Sequence, residues 1–267
     1  MDGRRLGNGR PSGTENRVAR SGHCRYRAGV YGAQLAEIYD AIYVTGHGKD
    51  YAAEAASLAA LIKARNPRAT RVLDVACGTG EHLRHLRDHF PYVAGIELSA
   101  PMRELAQAKL PEVRIHAGDM RDFTLGADFD AVVCLFSAIG YTRSDQELRA
   151  AVTAMTAHLS TGGVLVIEPW YTPDAHRSGA VHHVVAHTPE RTIVRLSYSS
   201  HQDRQSRLLM HYLIGDASGI NHFTDEHHLT LFTNEEYTAA VTDAGCTMVE
   251  FTEGRAAGRH RIIAVKT

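Results

Sequence analysis

Three carboxylates, each placed in or just beyond a short apolar run, are the residues whose type and spacing most directly suggest chemistry. Asp74 stands inside Val72-Leu73-Asp74-Val75-Ala76-Cys77-Gly78-Thr79-Gly80, an apolar run that breaks into a glycine turn before a helical stretch. Glycines there let the backbone approach a ligand closely, and the helix N-terminus beyond them offers unpaired N–H donors. Glu97 ends the next run, in Gly95-Ile96-Glu97-Leu98-Ser99, where a carboxylate can accept hydrogen bonds from both hydroxyls of a ribose. Asp119 follows the third, in Gly118-Asp119-Met120-Arg121-Asp122-Phe123, where it can accept from the exocyclic amine of an adenine flanked by Met120. Asp74 can hold the ammonium of an amino-acid tail. Any one of these acids alone reads equally well as a helix cap or a surface charge. In order and together they fit a ligand with ribose, adenine and an amino-acid tail, the parts of S-adenosylmethionine. The turn is not a P-loop, because no Gly-Lys-Ser/Thr follows. Nor is it the full GxGxxG dinucleotide fingerprint, because Leu83 stands where the third glycine belongs.

Acids presented in this way need a sheet whose strands end on one side. Apolar runs at 71–76, 92–97, 113–117, 129–135 and 163–168 read as strands, and 82–90, 101–110 and 144–159 read as helices between them. Ser144 with Glu147 predicts a capping box at the last of these. Buried strands alternating with amphipathic helices imply a parallel, doubly wound α/β sheet. Before it, 33–43 predicts a short helix with Leu35, Ile38, Tyr39 and Ile42 on one face, and Asp50 caps a second helix that Pro67 closes. After Pro169 the rhythm changes. Runs at 181–186, 192–199, 208–214 and 227–232 read as strands with no helix between them, an antiparallel sheet of their own. A helix capped by Thr233 and Glu236 runs to Gly245, and strands at 246–252 and 261–265 follow. The expected organisation is a core of 31–170 and 232–267, with 171–231 inserted as a substrate lid at the carboxyl ends of the strands. Residues 1–30, rich in Gly, Arg, Ser and Asn, read as a disordered leader, with a nucleic-acid-binding arm as the alternative.

The 267 residues, 44% hydrophobic, suffice for one full core, and a formal net charge of −1 provides no global field for nucleic acid or an anionic membrane. No apolar stretch approaches the roughly 20 residues of a membrane helix. The basic N-terminus lacks the apolar centre of a secretory signal. Cys24, Cys77, Cys134 and Cys246 form no CxxC pair, and a free thiol at the end of an apolar strand behaves as a small hydrophobe, which suits the cytoplasm. The 17 histidines include the adjacent pairs His182-His183 and His227-His228, but HExxH and Cys/His metal spacings are absent, so no metal is expected. Ser137 sits in no GxSxG elbow.

Further strings make the chain familiar. Gly48-Lys49-Asp50-Tyr51-Ala52-Ala53-Glu54-Ala55, the runs LDVACGTG and GDMRDF, Phe136-Ser137-Ala138-Ile139-Gly140-Tyr141, Val166-Ile167-Glu168-Pro169-Trp170 and Gly258-Arg259 together resemble the class I N,N-dimethyltransferases of nucleotide-linked aminodeoxysugars in bacterial antibiotic pathways. The resemblance spans about residues 31–267, and its GKDYAAEA, EPW and Gly-Arg elements are more diagnostic than the cofactor motifs. It implies a Rossmann-like sheet, S-adenosylmethionine as methyl donor and a dTDP-linked aminosugar as acceptor. Cofactor contacts are then expected from Asp74, Ala76, Gly78, Gly80 and Glu97, and from Leu98, Asp119, Met120, Phe136 and Tyr43. Substrate contacts are expected from Tyr43, Tyr141, Trp170, Arg195 and Arg259, with Tyr141 and Glu168 as candidates to orient the amine and pass on its proton. Arg207 and Arg255 are further candidates for a diphosphate. Ala138, Tyr171 and His260 depart from the family pattern, where Ser, Trp and Gly are frequent, which bears on the identity of the sugar. A homodimer is one assembly open to the chain. The rival readings are a different small-molecule N- or O-methyltransferase and, more distantly, a non-catalytic cofactor-binding or nucleic-acid-associated protein.

Overall fold

The computed structural model describes residues 31–253 and 259–267, so the expectations for residues 1–30 and for Arg255 lie outside the described residues. The chain begins with α1 (Ala33–Asp40) and α2 (Tyr51–Arg65), followed by β1 (Arg71–Val75), α3 (Glu81–Leu86), β2 (Tyr92–Glu97) and α4 (Ala100–Lys109). Then come β3 (Arg114–Ala117), β4 (Phe129–Cys134), α5 (Asp145–Ala157) and β5 (Leu159–Ile167). Four strands follow without a helix, β6 (Ala180–His187), β7 (Thr192–Gln202), β8 (Gln205–Asp216) and β9 (Gly219–Thr230). Helix α6 (Asn234–Asp243) and strands β10 (Cys246–Glu253) and β11 (His260–Lys266) complete it.

The main sheet runs β3-β2-β1-β4-β5-β11-β10, parallel except for its last two strands. Its central strands β1, β2, β4 and β5 are buried on both faces, which explains their continuous apolar runs. Leu73, Val75, Ile96 and Val132 meet α5 and α6 on one face, while Val72, Val133, Val164 and Ile263 meet α2, α3 and α4 on the other. Strand order reverses between β1 and β4, and a crevice opens beyond their carboxyl ends, where open α/β sheets bind ligands. Gly95 on β2 is required there by packing: a Cβ would lie 2.7 Å from Cys77 Sγ and 2.8 Å from Leu83 Cδ1.

The second sheet, β6-β7-β8-β9, is an antiparallel meander. Its inner face packs Val184, Ile193 and Tyr212 against Leu35, Ile38 and Ile42. On its outer face Val181, Leu196, Tyr198 and Leu213 are exposed.

Local boundaries differ from the sequence reading for identifiable reasons. The first helix is α-helical only to Asp40 and widens into a π turn over Ala41–Gly46. A Cβ on Gly46 would lie 2.5 Å from Val184 Cγ1, so the turn is shaped by close packing of β6. Helix α3 stops at Leu86 rather than residue 90. The capping box at Ser144 is only half formed: its Oγ accepts from Glu147 N at 3.2 Å, but the Glu147 carboxylate accepts from Arg143 N instead of Ser144 N. The box at Thr233 and Glu236 is closed in both directions. Among the described residues no helix is long and apolar enough to cross a membrane.

Candidate active site

The backbone around the crevice is held in conformations that side chains disfavour. Ala76 has φ 61° after β1, and Phe136 and Ser137 have φ 53° and 68° after β4. Such residues persist where surrounding contacts over-determine them, and they cluster at ligand sites. Ala76, Gly78, Phe136 and Met120 line the crevice. Gly80 does not: it caps α3, and its missing side chain makes room for Leu110 and Ala106.

Asp74 lies in the crevice wall at 1% exposure, and among the described residues its buried Oδ2 has no hydrogen-bond partner. Burial, then the charges of Glu97 and Glu168, push its carboxyl well above the ordinary range. A cation placed against it would satisfy the orphan oxygen and reverse that shift. Glu97 accepts from Gly78 N at 2.9 Å and from Ser99 N at 2.7 Å, which fixes its carboxylate at the crevice edge. Leu98, 64% exposed, and Met120 give that edge an apolar surface suited to a flat ring. Asp119 departs from its expected place: it is not in the wall, and its carboxylate is clamped by Arg121 at 2.9 and 2.6 Å and by Arg121 N at 2.9 Å.

A chamber of about 1450 Å³ adjoins the crevice beneath the inner face of the second sheet. Tyr43 lines this chamber rather than the crevice, with its ring edge-on to Phe136. Arg195 is buried in the wall, donating to Tyr43 Oη at 3.1 Å and to His47 Nε2 at 2.7 Å, while among the described residues its Nε has no partner. Arg259 lies over the rings of Trp170 and Tyr171, 5.2 and 5.7 Å from their centroids, and Trp170 Nε1 donates to Ser206 Oγ. Among the described residues neither arginine is ion-paired with a carboxylate. Arg207 is elsewhere, paired with Glu226 and away from the chamber.

Crevice and chamber meet at Tyr31, Tyr39, Phe136 and Tyr141, which line both. The hydroxyls of Tyr31 and Tyr141 are 2.9 Å apart, and Tyr141 Oη is 2.6 Å from His227 Nδ1. His227 Nε2 is 2.9 Å from Asp225 Oδ2. Burial raises the Tyr141 phenol well above its ordinary range, so at neutral pH it stays protonated and cannot serve as a phenolate base. Glu168 is no freer. Its Oε1 accepts from Arg261 Nε at 2.7 Å and its Oε2 from Phe136 N at 3.0 Å, and against the effect of burial Arg261 holds the carboxyl below the usual range. It ties β11 and the turn after β4 to the end of β5.

The methyltransferase domain family matches residues 72–163. The dTDP-3-amino-3,4,6-trideoxy-alpha-D-glucopyranose N,N-dimethyltransferase of Streptomyces venezuelae is 44% identical over 237 residues, 88% of this chain and 99% of that protein. The dTDP-4-amino-2,3,4,6-tetradeoxy-D-glucose N,N-dimethyltransferase of Saccharopolyspora spinosa is 46% identical, over 89% of this chain and 94% of that one. The chain belongs to the family of dTDP-aminosugar N,N-dimethyltransferases. The SAM-bound structure of CalS10, an amino pentose methyltransferase from Micromonospora echinaspora, superposes with TM-score 0.79 at 44% identity, covering 91% of this chain and all of that one.

For this dimethyltransferase family member the GKDYAAEA string has a visible purpose. Lys49 and His82 both bond the buried Glu54, and against burial these contacts bring its carboxyl down to about 2. The Lys49 ammonium also lies 4.6 Å from the Phe136 ring centroid, so the motif braces the wall shared by crevice and chamber. Sequence reasoning overlooked Tyr31, His227 and Asp225. Asp225 and His227 do carry a signal: they are two apart on a strand and therefore share a face.

Proposed function

We propose that the protein transfers methyl groups from S-adenosylmethionine to the amine of a dTDP-linked deoxyaminosugar, giving the N,N-dimethyl product in natural-product biosynthesis. The observation that carries this reading is the junction of two unlike spaces. A crevice with an orphan carboxylate opens through a ring of tyrosines into a chamber walled by two arginines that, among the described residues, have no carboxylate partner.

Bound in the crevice, the cofactor supplies an electrophilic methyl on a sulfonium. Asp74 would hold its ammonium, Glu97 its ribose hydroxyls, and Leu98 with Met120 its adenine. On the other side Arg259 and Arg195 would hold the diphosphate, with Trp170 as an apolar wall. The inserted sheet serves as the lid that keeps water from the junction. Attack by an amine on a sulfonium is an in-line displacement in which positive charge moves from sulfur to nitrogen. No oxyanion develops. Alignment can therefore supply much of the acceleration, up to about 7–11 kcal/mol in favourable cases. A deoxygenated sugar has few hydroxyls to hold, so the remote diphosphate provides the binding energy that aligns its amine.

The test is transfer of labelled methyl from S-adenosylmethionine to a panel of dTDP-3-amino and dTDP-4-amino sugars and the matching free aminosugars. The nucleotide sugars should be used well and the free sugars poorly. Removing one charge-assisted hydrogen bond is worth about 1.5–3 kcal/mol, so Arg259→Ala should lower kcat/KM for the nucleotide sugar by roughly 10- to 150-fold. Arg259→Lys should recover little of it, since Lys lacks the planar fork. Equal use of free and nucleotide sugar by the unaltered protein would overturn the substrate class.

A further inference from the structure

We propose that Tyr31, Tyr141, His227 and Asp225 form a proton relay that takes the proton from the substrate ammonium and lodges it on His227. The proposal rests on the reading that the acceptor is an amine, and it names the groups that make that amine a nucleophile.

The hydrogen-bond chain sets its own direction. Asp225 as a carboxylate can only accept, so the proton between it and His227 sits on Nε2. His227 Nδ1 is then bare and accepts from the Tyr141 hydroxyl. Tyr141 Oη in turn accepts from the Tyr31 hydroxyl. Every proton in the chain points toward Asp225, and the lone pairs of Tyr31 Oη are its open end. That end lies where crevice and chamber meet, since Tyr31 and Tyr141 line both.

The same arrangement explains why histidine, not tyrosine, keeps the proton. Burial raises both phenols, so they pass protons without ionising. The imidazole, 2% exposed, faces Tyr31, Tyr141 and Asp225, and the Asp225 carboxylate compensates its charge when it becomes imidazolium. Asp225 is 19% exposed, which gives the relay contact with water at its far end.

The step balances. An N–H bond of the substrate ammonium breaks as an O–H bond forms on Tyr31. The proton of Tyr31 moves to Tyr141, and that of Tyr141 moves to His227 Nδ1. The electron pair of the broken N–H bond stays on nitrogen as the nucleophilic lone pair. After one methyl transfer the nitrogen is again a charged ammonium without a lone pair. A second transfer needs a second deprotonation, so dimethylation uses the relay twice; in between, His227 returns its Nδ1 proton through the Tyr141 and Tyr31 hydroxyls to water in the chamber, which restores the Nε2–H tautomer. His227 and Asp225 act through the tyrosines as positioning and proton-storing residues. Only Tyr31 and Tyr141 reach the reacting groups.

The test compares wild type with His227→Gln and Asp225→Asn. An amine with a reference pKa of about 7.7–8.0 is only about 9–17% neutral at pH 7, so without the relay kcat/KM at pH 7 should fall about 6- to 11-fold in His227→Gln. It should return to the wild-type value at about pH 9.5, where the amine arrives already neutral. At pH 7 the variant should accumulate monomethyl product. Asp225→Asn, which leaves the imidazole in place, should show the same pH-dependent loss to a smaller extent. Separately from turnover, ¹⁵N-histidine NMR of the free protein should show His227, assigned by its absence in His227→Gln, as the Nε2–H tautomer. Equal losses at both pH values, or an Nδ1–H tautomer, would overturn the relay. Absence of methylation of any dTDP-aminosugar by wild type would instead refute the proposed substrate, and the tautomer would still report on the relay.

Discussion

Replacing Asp74 with Asn should move cofactor affinity and protein stability in opposite directions. In the free protein the Asp74 carboxyl is buried, its Oδ2 has no partner among the described residues, and burial with the charges of Glu97 and Glu168 raises its pKa. A carboxyl whose folded pKa is raised binds its proton more tightly in the native state than in the unfolded one. Its ionisation therefore destabilises the fold progressively as pH rises from the ordinary carboxylate range toward the raised value. Asn removes that penalty, so the melting temperature of the free variant at pH 7–8 should rise. Affinity should fall, because the charge-assisted bond to the cofactor ammonium is lost. That bond is worth about 1.5–3 kcal/mol, or roughly 10- to 150-fold in Kd. The wild-type complex should also release a proton on binding, since the ammonium lowers the Asp74 pKa, so affinity should increase with pH across the same window. Titration calorimetry with S-adenosylhomocysteine, which carries the same ammonium, in two buffers of different ionisation enthalpy measures both quantities. A variant with unchanged affinity and a lower melting temperature would refute the role given to Asp74.

Three further substitutions probe the scaffold. Arg261→Ala leaves the half-buried Glu168 without its ion-pair partner, and breaking such a pair costs up to about 3–5 kcal/mol; differential scanning calorimetry should show a melting point lower by up to roughly 6–20 °C. The Glu168 carboxyl is held below its ordinary range, so the stabilisation that Arg261→Ala removes is present at neutral pH and fades in wild type as pH falls through that lowered value. Gly46→Ala places a methyl against Val184 Cγ1 and should destabilise by about 1–3 kcal/mol in urea unfolding. Thr233→Ala opens the closed capping box of α6 and should cost about 0.5–2 kcal/mol, read as a shift in urea midpoint at constant slope.

What could be read in the sequence was what local pattern controls. Strands β1, β2, β4 and β5 are buried on both faces, so their apolar runs stand out, and Asp74 and Glu97 are found by position at strand ends. Strand β9 was recognised only from 227 onward, because Gly219–Glu226 forms one edge of the second sheet and carries no apolar alternation. Asp119 shows what positional reasoning leaves out: strand order offers its carboxylate to a ligand but does not announce the bidentate arginine two residues away. The tyrosine–histidine chain could not be read at all as a unit. Tyr31 and Tyr141 are 110 residues apart, and Tyr141 and His227 another 86. Only the return of the second sheet over the first brings them together.

Helix α1 belongs to both halves of the molecule. On one side Asp40 accepts from Thr79 Oγ1 at 2.6 Å and pairs with Lys109, and the carbonyl of Tyr31 accepts from Ser99 Oγ at 2.8 Å. On the other, Leu35, Ile38 and Ile42 are packed into the second sheet. Its anchors on the core thus include Thr79 of the glycine turn and Ser99, whose N–H fixes Glu97, while its apolar face rests on the roof of the substrate chamber. A strap attached at both places should couple them. A ligand that settles the glycine turn and Glu97 is then expected to bias the position of the roof, and a ligand that draws the roof down to bias the crevice. By linkage the two effects must be equal: whatever factor the cofactor contributes to nucleotide-sugar affinity, the nucleotide sugar returns to the cofactor.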